Sequence, residues 1–294
     1  MMYVFSQQGI DTLKEAKLGT LLTLSNGRIA WRGEHELYRS GYGLFLSNIY
    51  DYTPVFYREL VVFPRPVNLE IYIDGEPLDI YGRDTRIDRI LDISTGSLLS
   101  RIWWRGKSHS ALYESTRFVH RRRKEIIGFK ARLSSSKGSR LIIRNTIDLR
   151  LSNPLIPSNI SIKHYDVVSK NDLGNGISIL FKTTDDKYKV AMATSLQVKP
   201  DSRRYYFSNN HYIGEQYAIE KNEDDIILEG YSCIIRNIDY EDPLEKAIEC
   251  LEEAVSIGLE KLYNEHSREC GRATEEIAQP GLYQLLLETA LCAL

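Results

Sequence analysis

From position 18 to about 237 the chain alternates short runs of β-branched, aromatic and leucine residues with clusters of turn residues, the spacing expected of an all-β sandwich or barrel. Asn68-Leu-Glu-Ile-Tyr-Ile73 stops at Asp74-Gly75, and Leu98-Leu-Ser-Arg-Ile-Trp-Trp104 stops at Arg105-Gly106. Arg140-Leu-Ile-Ile-Arg-Asn-Thr-Ile-Asp148, Ile177-Ser-Ile-Leu-Phe181 and Lys189-Val-Ala-Met-Ala-Thr194 continue the series, followed by the runs at 212–219 and 226–235. Apolar positions tend to alternate within these runs, so each strand offers one face to a core. There are more runs than one barrel needs, which favours a large two-sheet antiparallel β-sandwich. Leu133-Ser-Ser-Ser-Lys-Gly138 reads as a hairpin tip.

The period changes at Tyr240-Glu-Asp-Pro-Leu-Glu245. Asp242 is placed to cap a helix, Pro243 suits its first position, and Glu245 stands three residues after the cap. Leu244, Ala247, Ile248, Leu251, Ala254, Val255, Leu259 and Leu262 then recur at steps of three and four, giving one apolar helical face. The chain thus divides into a β-sandwich over 1–239 and a helical part over 240–294. Its last segment, 282–294, is apolar and ends without a glycine cap, a basic last turn or a polar tail. It is expected to lie against a partner surface or to begin something longer. Leu285, Leu286, Leu291 and Leu294 are the residues expected at that contact, and uncovered they would be mobile or prone to association.

Composition narrows the partners. Lysine and arginine total 38 against 40 acidic residues, a formal charge of -2, so no overall field draws the chain to nucleic acid or to anionic lipid. Arg117-Phe-Val-His-Arg-Arg-Arg-Lys124 is the one dense basic run. It would suit phosphates, but a charged hairpin tip explains it as well. The four cysteines, Cys233, Cys250, Cys270 and Cys292, are scattered, with neither the spacing of a metal site nor a disulfide framework. No metal or other cofactor is expected, and a reducing cytoplasm fits. No apolar run is long enough to span a bilayer, and the first residues do not resemble a signal peptide.

The densest cluster of special residues is Leu24-Ser-Asn-Gly-Arg-Ile-Ala-Trp-Arg-Gly-Glu34. Asn26-Gly27 is a hairpin turn signal, with Ile29 and Trp31 on one face. Arg32 and Glu34 flank a glycine that lets another backbone come close, which makes Asn26, Arg32 and Glu34 candidates for a site rim or domain contact. Asn48 and Tyr50, within Gly43-Leu-Phe-Leu-Ser-Asn-Ile-Tyr-Asp51, add amide and aromatic groups of the kind that meet sugars, although tyrosines also pack across strands. Glycoside cleavage needs a carboxylic acid at the leaving oxygen and a second group on the opposite ring face. The acidic clusters at 184–186 and 222–225 read as solvated turns instead. His120, His211 and His266 stand in unrelated contexts, so no catalytic residue is expected here.

Several of these strings follow one another as the signatures of a known family do. Leu24-Ser-Asn-Gly through Trp31-Arg-Gly33, the block 43–51, Asn68-Leu-Glu-Ile-Tyr-Ile-Asp-Gly-Glu-Pro-Leu-Asp79 and Leu91-Asp-Ile-Ser-Thr-Gly-Ser-Leu-Leu-Ser-Arg101 come in order. Glu114-Ser-Thr-Arg-Phe-Val119 and Gly258-x-x-x-Leu262-x-x-x-His266 complete the set. Together they resemble the N-terminal region of glycoside hydrolase family 65, the maltose, trehalose and kojibiose phosphorylases and acid trehalases. The resemblance implies a galactose-mutarotase-like super-sandwich and linker helices, followed by a separate (α/α)6 barrel that carries the catalytic acid and the phosphate pocket. Only the start of that barrel is expected within 280–294. Where the family tends to place tryptophans after the equivalent of His266, this chain has Cys270 and Ala273. The expected role is a scaffold or subunit in carbohydrate metabolism without a complete active site, working with a separately encoded barrel or as a homo-oligomer. The alternatives are a stand-alone carbohydrate-binding module and, further off, a nucleic-acid binder acting through positions 121–124.

Overall fold

The computed structural model describes residues 2–39, 42–52, 58–154, 161–200, 202–220 and 224–277. In chain order the strands are β1 (Met2–Gln8), β2 (Leu24–Ser25), β3 (Ile29–Trp31), β4 (Leu44–Tyr52), β5 (Arg58–Phe63), β6 (Leu69–Ile73), β7 (Glu76–Pro77), β8 (Arg86–Asp92), β9 (Ser97–Arg105) and β10 (Ser110–Val119). They continue as β11 (Ile126–Ser135), β12 (Leu141–Asp148), β13 (Asn153–Pro154), β14 (Ser161–Ile162), β15 (Tyr165–Asp172), β16 (Ile177–Thr183), β17 (Lys189–Lys199), β18 (Arg203–Ser208), β19 (Tyr212–Ile219) and β20 (Ile226–Arg236). The helices are α1 (Thr12–Leu21), α2 (Pro243–Ile257) and α3 (Leu259–Ile277).

The strands form a nine-stranded sheet in the order β1-β8-β9-β10-β11-β20-β17-β16-β15 and a five-stranded sheet in the order β18-β19-β12-β6-β7. A four-stranded sheet, β2-β3-β4-β5, and the short pair β13-β14 complete the set, and every pairing is antiparallel. This is the mainly β sandwich expected from the run pattern. Alternation does the work it predicts: in β12, Leu141, Ile143, Asn145 and Ile147 are buried while their neighbours are half-exposed. The principal core draws Tyr113, Phe129 and Leu133 from the large sheet, Ile71, Ile143 and Ile213 from the small one, and Trp31, Leu46 and Phe63 from the four-stranded sheet. Each such side chain contributes about 1.5–3 kcal/mol by leaving water.

The large sheet also buries part of its other face. Along β20 the odd positions Tyr231, Cys233 and Ile235 join Ala191 and Ala193 of β17 in a second core against Ala247, Leu251 and Ala254 of α2 and Leu259 and Leu262 of α3. Alanine on both surfaces lets α2 lie close to the sheet. Asp242 caps α2 as the sequence predicts, its carboxylate accepting from Leu244 N at 3.0 Å and Glu245 N at 3.1 Å.

Three features depart from the sequence reading. The apolar helical stripe belongs to two helices, because Gly258 takes a φ of 86° and ends α2. The Tyr231 hydroxyl then accepts from Leu259 N at 3.1 Å, at the start of α3. The 133–138 turn is not a hairpin tip: β11 pairs with β10 and β20, whereas β12 pairs with β6 and β19, so the turn carries the chain from one sheet to the other. Helix α1 lies within the segment read as sandwich, started by Asp11, whose side chain accepts from Leu13 N at 3.0 Å. Leu285, Leu286, Leu291 and Leu294 lie outside the described residues.

Candidate functional site

The cluster 24–34 folds against the middle of the large sheet. Asn26 follows β2, and its side-chain oxygen accepts from Arg28 N at 3.0 Å and Ile29 N at 2.9 Å, so Gly27, with a φ of 84°, turns the hairpin. Its amide nitrogen reaches across to donate to His120 O at 2.9 Å and Lys124 O at 3.1 Å. Asn26 thereby fastens the small hairpin to the turn between β10 and β11, and Ile29 and Trp31 are buried beneath it.

Beyond β3 the chain is packed too tightly for side chains at two points. A Cβ on Gly33 would lie 2.3 Å from the Leu22 side chain, and one on Gly19 would lie 2.4 Å from Glu34 Oε1. With both glycines in place, α1 closes over the segment, and Gly33 N donates to Gly19 O at 2.7 Å. Arg32 Nε donates to Glu34 Oε1 at 2.7 Å and its Nη2 to Ala16 O at 2.7 Å, while its guanidinium lies 4.7 Å from the centre of the Tyr42 ring.

Under this lid lies a buried ionic network. Arg89 of β8 holds Glu15 of α1 by two bonds, 2.8 and 2.7 Å, with both side chains at most 1% exposed. Glu15 Oε1 also accepts from His35 N at 2.8 Å. Arg117 of β10 donates to the carbonyls of Glu34 and Gly33 at 2.7 Å each and lies 4.9 Å from the centre of the Trp31 ring. Glu36 accepts from the Tyr113 hydroxyl at 2.8 Å and from the Ser115 hydroxyl. Burial pushes the Glu36 carboxyl up, but His35, Arg117 and Ser115 together outweigh it and hold the group at about 2. Burial drives His35 down to about 4 against the attraction of Glu36, in keeping with its Nδ1 accepting from Leu37 N at 3.1 Å. The side chains of Glu15, Glu34 and Glu36 are all sealed beneath protein. A group at most 1% exposed does not meet a glycosidic oxygen, and their chemistry is that of fixing this junction.

The second junction holds the helices. His266 of α3 donates from Nε2 to Gly96 O at 3.1 Å and accepts at Nδ1 from Arg121 N at 3.1 Å. Its ring stacks on Phe118 at 5.0 Å and lies 5.8 Å from His120. His120 in turn accepts at Nδ1 from Arg122 N and Arg123 N at 3.2 and 3.0 Å, ordering the turn. Burial lowers both imidazoles, His120 to about 4 with His266 adding to the effect. Arg123 reaches Glu265 at 3.2 Å and Glu253 at 2.7 Å. Of the basic run, Arg117 therefore lies inside and Arg123 is spent on α2 and α3, while Arg121, Arg122 and Lys124 are exposed.

The residues singled out in the sequence do not converge on one place. Arg32 and Glu34 form a pair and Asn26 fastens the neighbouring hairpin, but Asn48 and Tyr50 are exposed on β4, Asn48 within the irregularity of that strand and Tyr50 where its pairing with β5 resumes. Asn48 takes a φ of 65° there. Beside them is a group the sequence did not suggest, His164 between Asp51 and Glu59 at 3.2 and 3.0 Å. Glu15, Arg89, Glu36 and Tyr113 also escaped notice, since only their burial gives them meaning.

The description "Glycosyl hydrolase family 65, N-terminal domain" matches residues 5–272. The chain belongs to glycosyl hydrolase family 65. The family 65 match takes in both junctions. Kojibiose phosphorylase of Caldanaerobacter subterraneus subsp. tengcongensis is 28% identical over 199 residues, covering 65% of this chain and 26% of that protein. Kojibiose phosphorylase of Halothermothrix orenii is 22% identical over 302 residues, covering 94% of the chain and 37% of the relative. A solved structure described as a putative kojibiose phosphorylase from human microbiome superposes with a TM-score of 0.76 at 17% identity, over 91% of this chain and 37% of that one. The family 65 chain thus spans well under half the length of these relatives, in the part that the family describes as N-terminal.

Proposed function

We propose that this chain is the scaffold of a kojibiose phosphorylase-like enzyme, holding the linker helices in one orientation so that a catalytic barrel is mounted against the sandwich. The observation that supports the reading is the seating of α2 and α3. Leu251, Leu259 and Leu262 are buried against the sheet, and His266 is bonded to two separate loops at Gly96 and Arg121. A linker clamped in this way transmits position, whereas a flexible one would leave the second domain free. The barrel, or a second copy of the chain, is the partner in this reading, and the cytoplasm is its compartment. Phosphorolysis of an α-linked disaccharide is the activity of the assembled enzyme rather than of this chain.

The test is to mix the chain with a separately expressed catalytic region of a family 65 kojibiose phosphorylase and measure co-purification and phosphate-dependent release of sugar phosphate from kojibiose. Association and gained phosphorolysis are expected. Absence of both association and turnover with every catalytic region tried, including any encoded beside this chain, would remove the scaffold reading.

A further inference from the structure

β1 is the outermost strand of the nine-stranded sheet and pairs with β8 on one side. Gly9 N donates to Thr85 O at 2.7 Å just beyond the paired residues. That bond fixes the phase of the ladder, because hydrogen-bonded and non-bonded positions alternate in antiparallel strands. Tyr3, Phe5 and Gln7 therefore bond toward β8, while Met2, Val4, Ser6 and Gln8 turn their N–H and C=O groups outward. Among the described residues no backbone group answers them. An open edge of this kind is a template for another strand.

The other described sheet edges are guarded. β15 carries Asp166, Lys170 and Asp172 and a register shift between Val167 and Ser169. β18 begins with Arg203 and Arg204, and β5 with Arg58 and Glu59. The remaining edge strands, β2, β7, β13 and β14, are two residues long. By contrast β1, Met-Tyr-Val-Phe-Ser-Gln-Gln over 7 residues, has no charge, no proline and no irregularity in its pairing. It is also apolar where it is most open: Met2 is 65% and Val4 61% exposed, and Val4 continues in register into the half-exposed Ile90 and Leu99. Charges, prolines, bulges and shortness are what keep strands from adding to an edge. Their absence from this edge marks it as a pairing surface.

An uncharged edge suits an equally uncharged strand, and the described edges hold one of that length, β1 itself. We propose that two copies of the chain join antiparallel along β1 about a twofold axis at Phe5, making one sheet continuous across the pair. In that register Met2 stands opposite Gln8 of the second copy and Val4 opposite its Ser6, so each outward N–H meets an outward C=O. Phe5, which packs against the principal core, meets its own copy in a cross-strand aromatic pair. Gln7, whose Nε2 is buried without a hydrogen-bond partner among the described residues, comes opposite Tyr3 of the second copy. The nearest charges on β8 do not oppose the contact, since Arg86 and Asp88 pair with each other at 2.9 Å. β8 and β9 separate this edge from the strands that form the second core, so the contact stands apart from the helix seat and from the scaffold reading.

Sedimentation velocity and residue-resolved hydrogen exchange on the full chain test the assignment. The chain should sediment as a dimer, with the amides of Val4, Ser6 and Gln8 protected as well as those of Phe5 and Gln7. Val4→Lys places a charge at an exposed position, and Val4→Pro removes an N–H that β8 does not use. Both variants should keep the circular dichroism of the parent chain and weaken dimerisation tenfold or more. In both, the Ser6 and Gln8 amides should open while those of Phe5 and Gln7 stay protected. Val4→Thr, which keeps the strand uncharged, should remain dimeric. A chain that is monomeric throughout the micromolar range overturns the proposal. So does a dimer whose Ser6 and Gln8 amides exchange freely, or one that survives both Val4→Lys and Val4→Pro, since association then runs through another surface.

Discussion

Glu15 and Arg89 stand 74 positions apart and are both sealed from water, joined by two hydrogen bonds. Removing one partner of such a pair leaves a charge buried without compensation, which costs about 3–5 kcal/mol. Arg89→Met is therefore expected to lower the urea midpoint strongly. Glu15→Met combined with Arg89→Met should recover a large part of the loss, because no buried charge remains; a double variant as unstable as the sum of the singles would mean the pair is not the source of the effect. Nothing in the sequence marks this pair, since a glutamate in a first helical turn and an arginine in a strand are individually ordinary. The cluster 24–34 was legible because Asn26, Gly27 and Gly33 are residues whose backbone chemistry is local. What Arg32, Glu34 and Arg117 touch depends on α1 and the large sheet arriving from elsewhere, and that information is not local.

Helix α3 is held at its start by the Tyr231 hydroxyl and at His266 by two backbone groups. Its break from α2 requires Gly258, whose φ of 86° and ψ of 145° lie where other residues are strained. A Cβ there meets nothing within 4 Å, so Gly258→Ala should cost about 1–3 kcal/mol through backbone strain alone, read as a lower thermal midpoint with the helix content retained. The periodicity of 244–262 showed an apolar face but not this corner, because a three-and-four step continues across it. The histidines add a pH dependence of known sign. His35, His120 and His266 are all held below the ordinary imidazole value by burial, so the unfolded chain takes up protons that the native one refuses. Stability should be full above about pH 6.5 and fall as the pH drops toward 4, by up to about 3 kcal/mol for His120 before allowance for partial solvation. Urea midpoints measured between pH 7.5 and 4.5 check this, and His266→Gln should flatten part of the slope; a midpoint that rises on acidification would contradict the assignment of neutral rings.

At the scale of the whole molecule, strand positions and the sandwich class follow from alternation, while sheet membership does not. The turn at 133–138 has hairpin chemistry, and Gly138 does adopt a φ of 81°, yet the strands on either side belong to different sheets. Turn residues reverse a chain without naming its next partner. The same limit applies to the division between a sandwich over 1–239 and a helical part. The large sheet buries Phe118, Tyr231 and Ile235 on its outer face only because α2 and α3 cover them. Cutting the chain after Asp239 would uncover this second core, and contiguous apolar surface of that kind drives association. Such a fragment is expected to bind a hydrophobic dye, to melt at a lower temperature and to self-associate, whereas a chain ending after Ile277 keeps the cover and melts in one transition. A soluble, monomeric fragment with the unaltered midpoint would show that the sandwich is stable by itself and that the helices are mounted on it rather than built into it. The helix clamp would then act on orientation alone, and the scaffold reading would rest on the His266 and Arg123 contacts without the apolar seat beneath them.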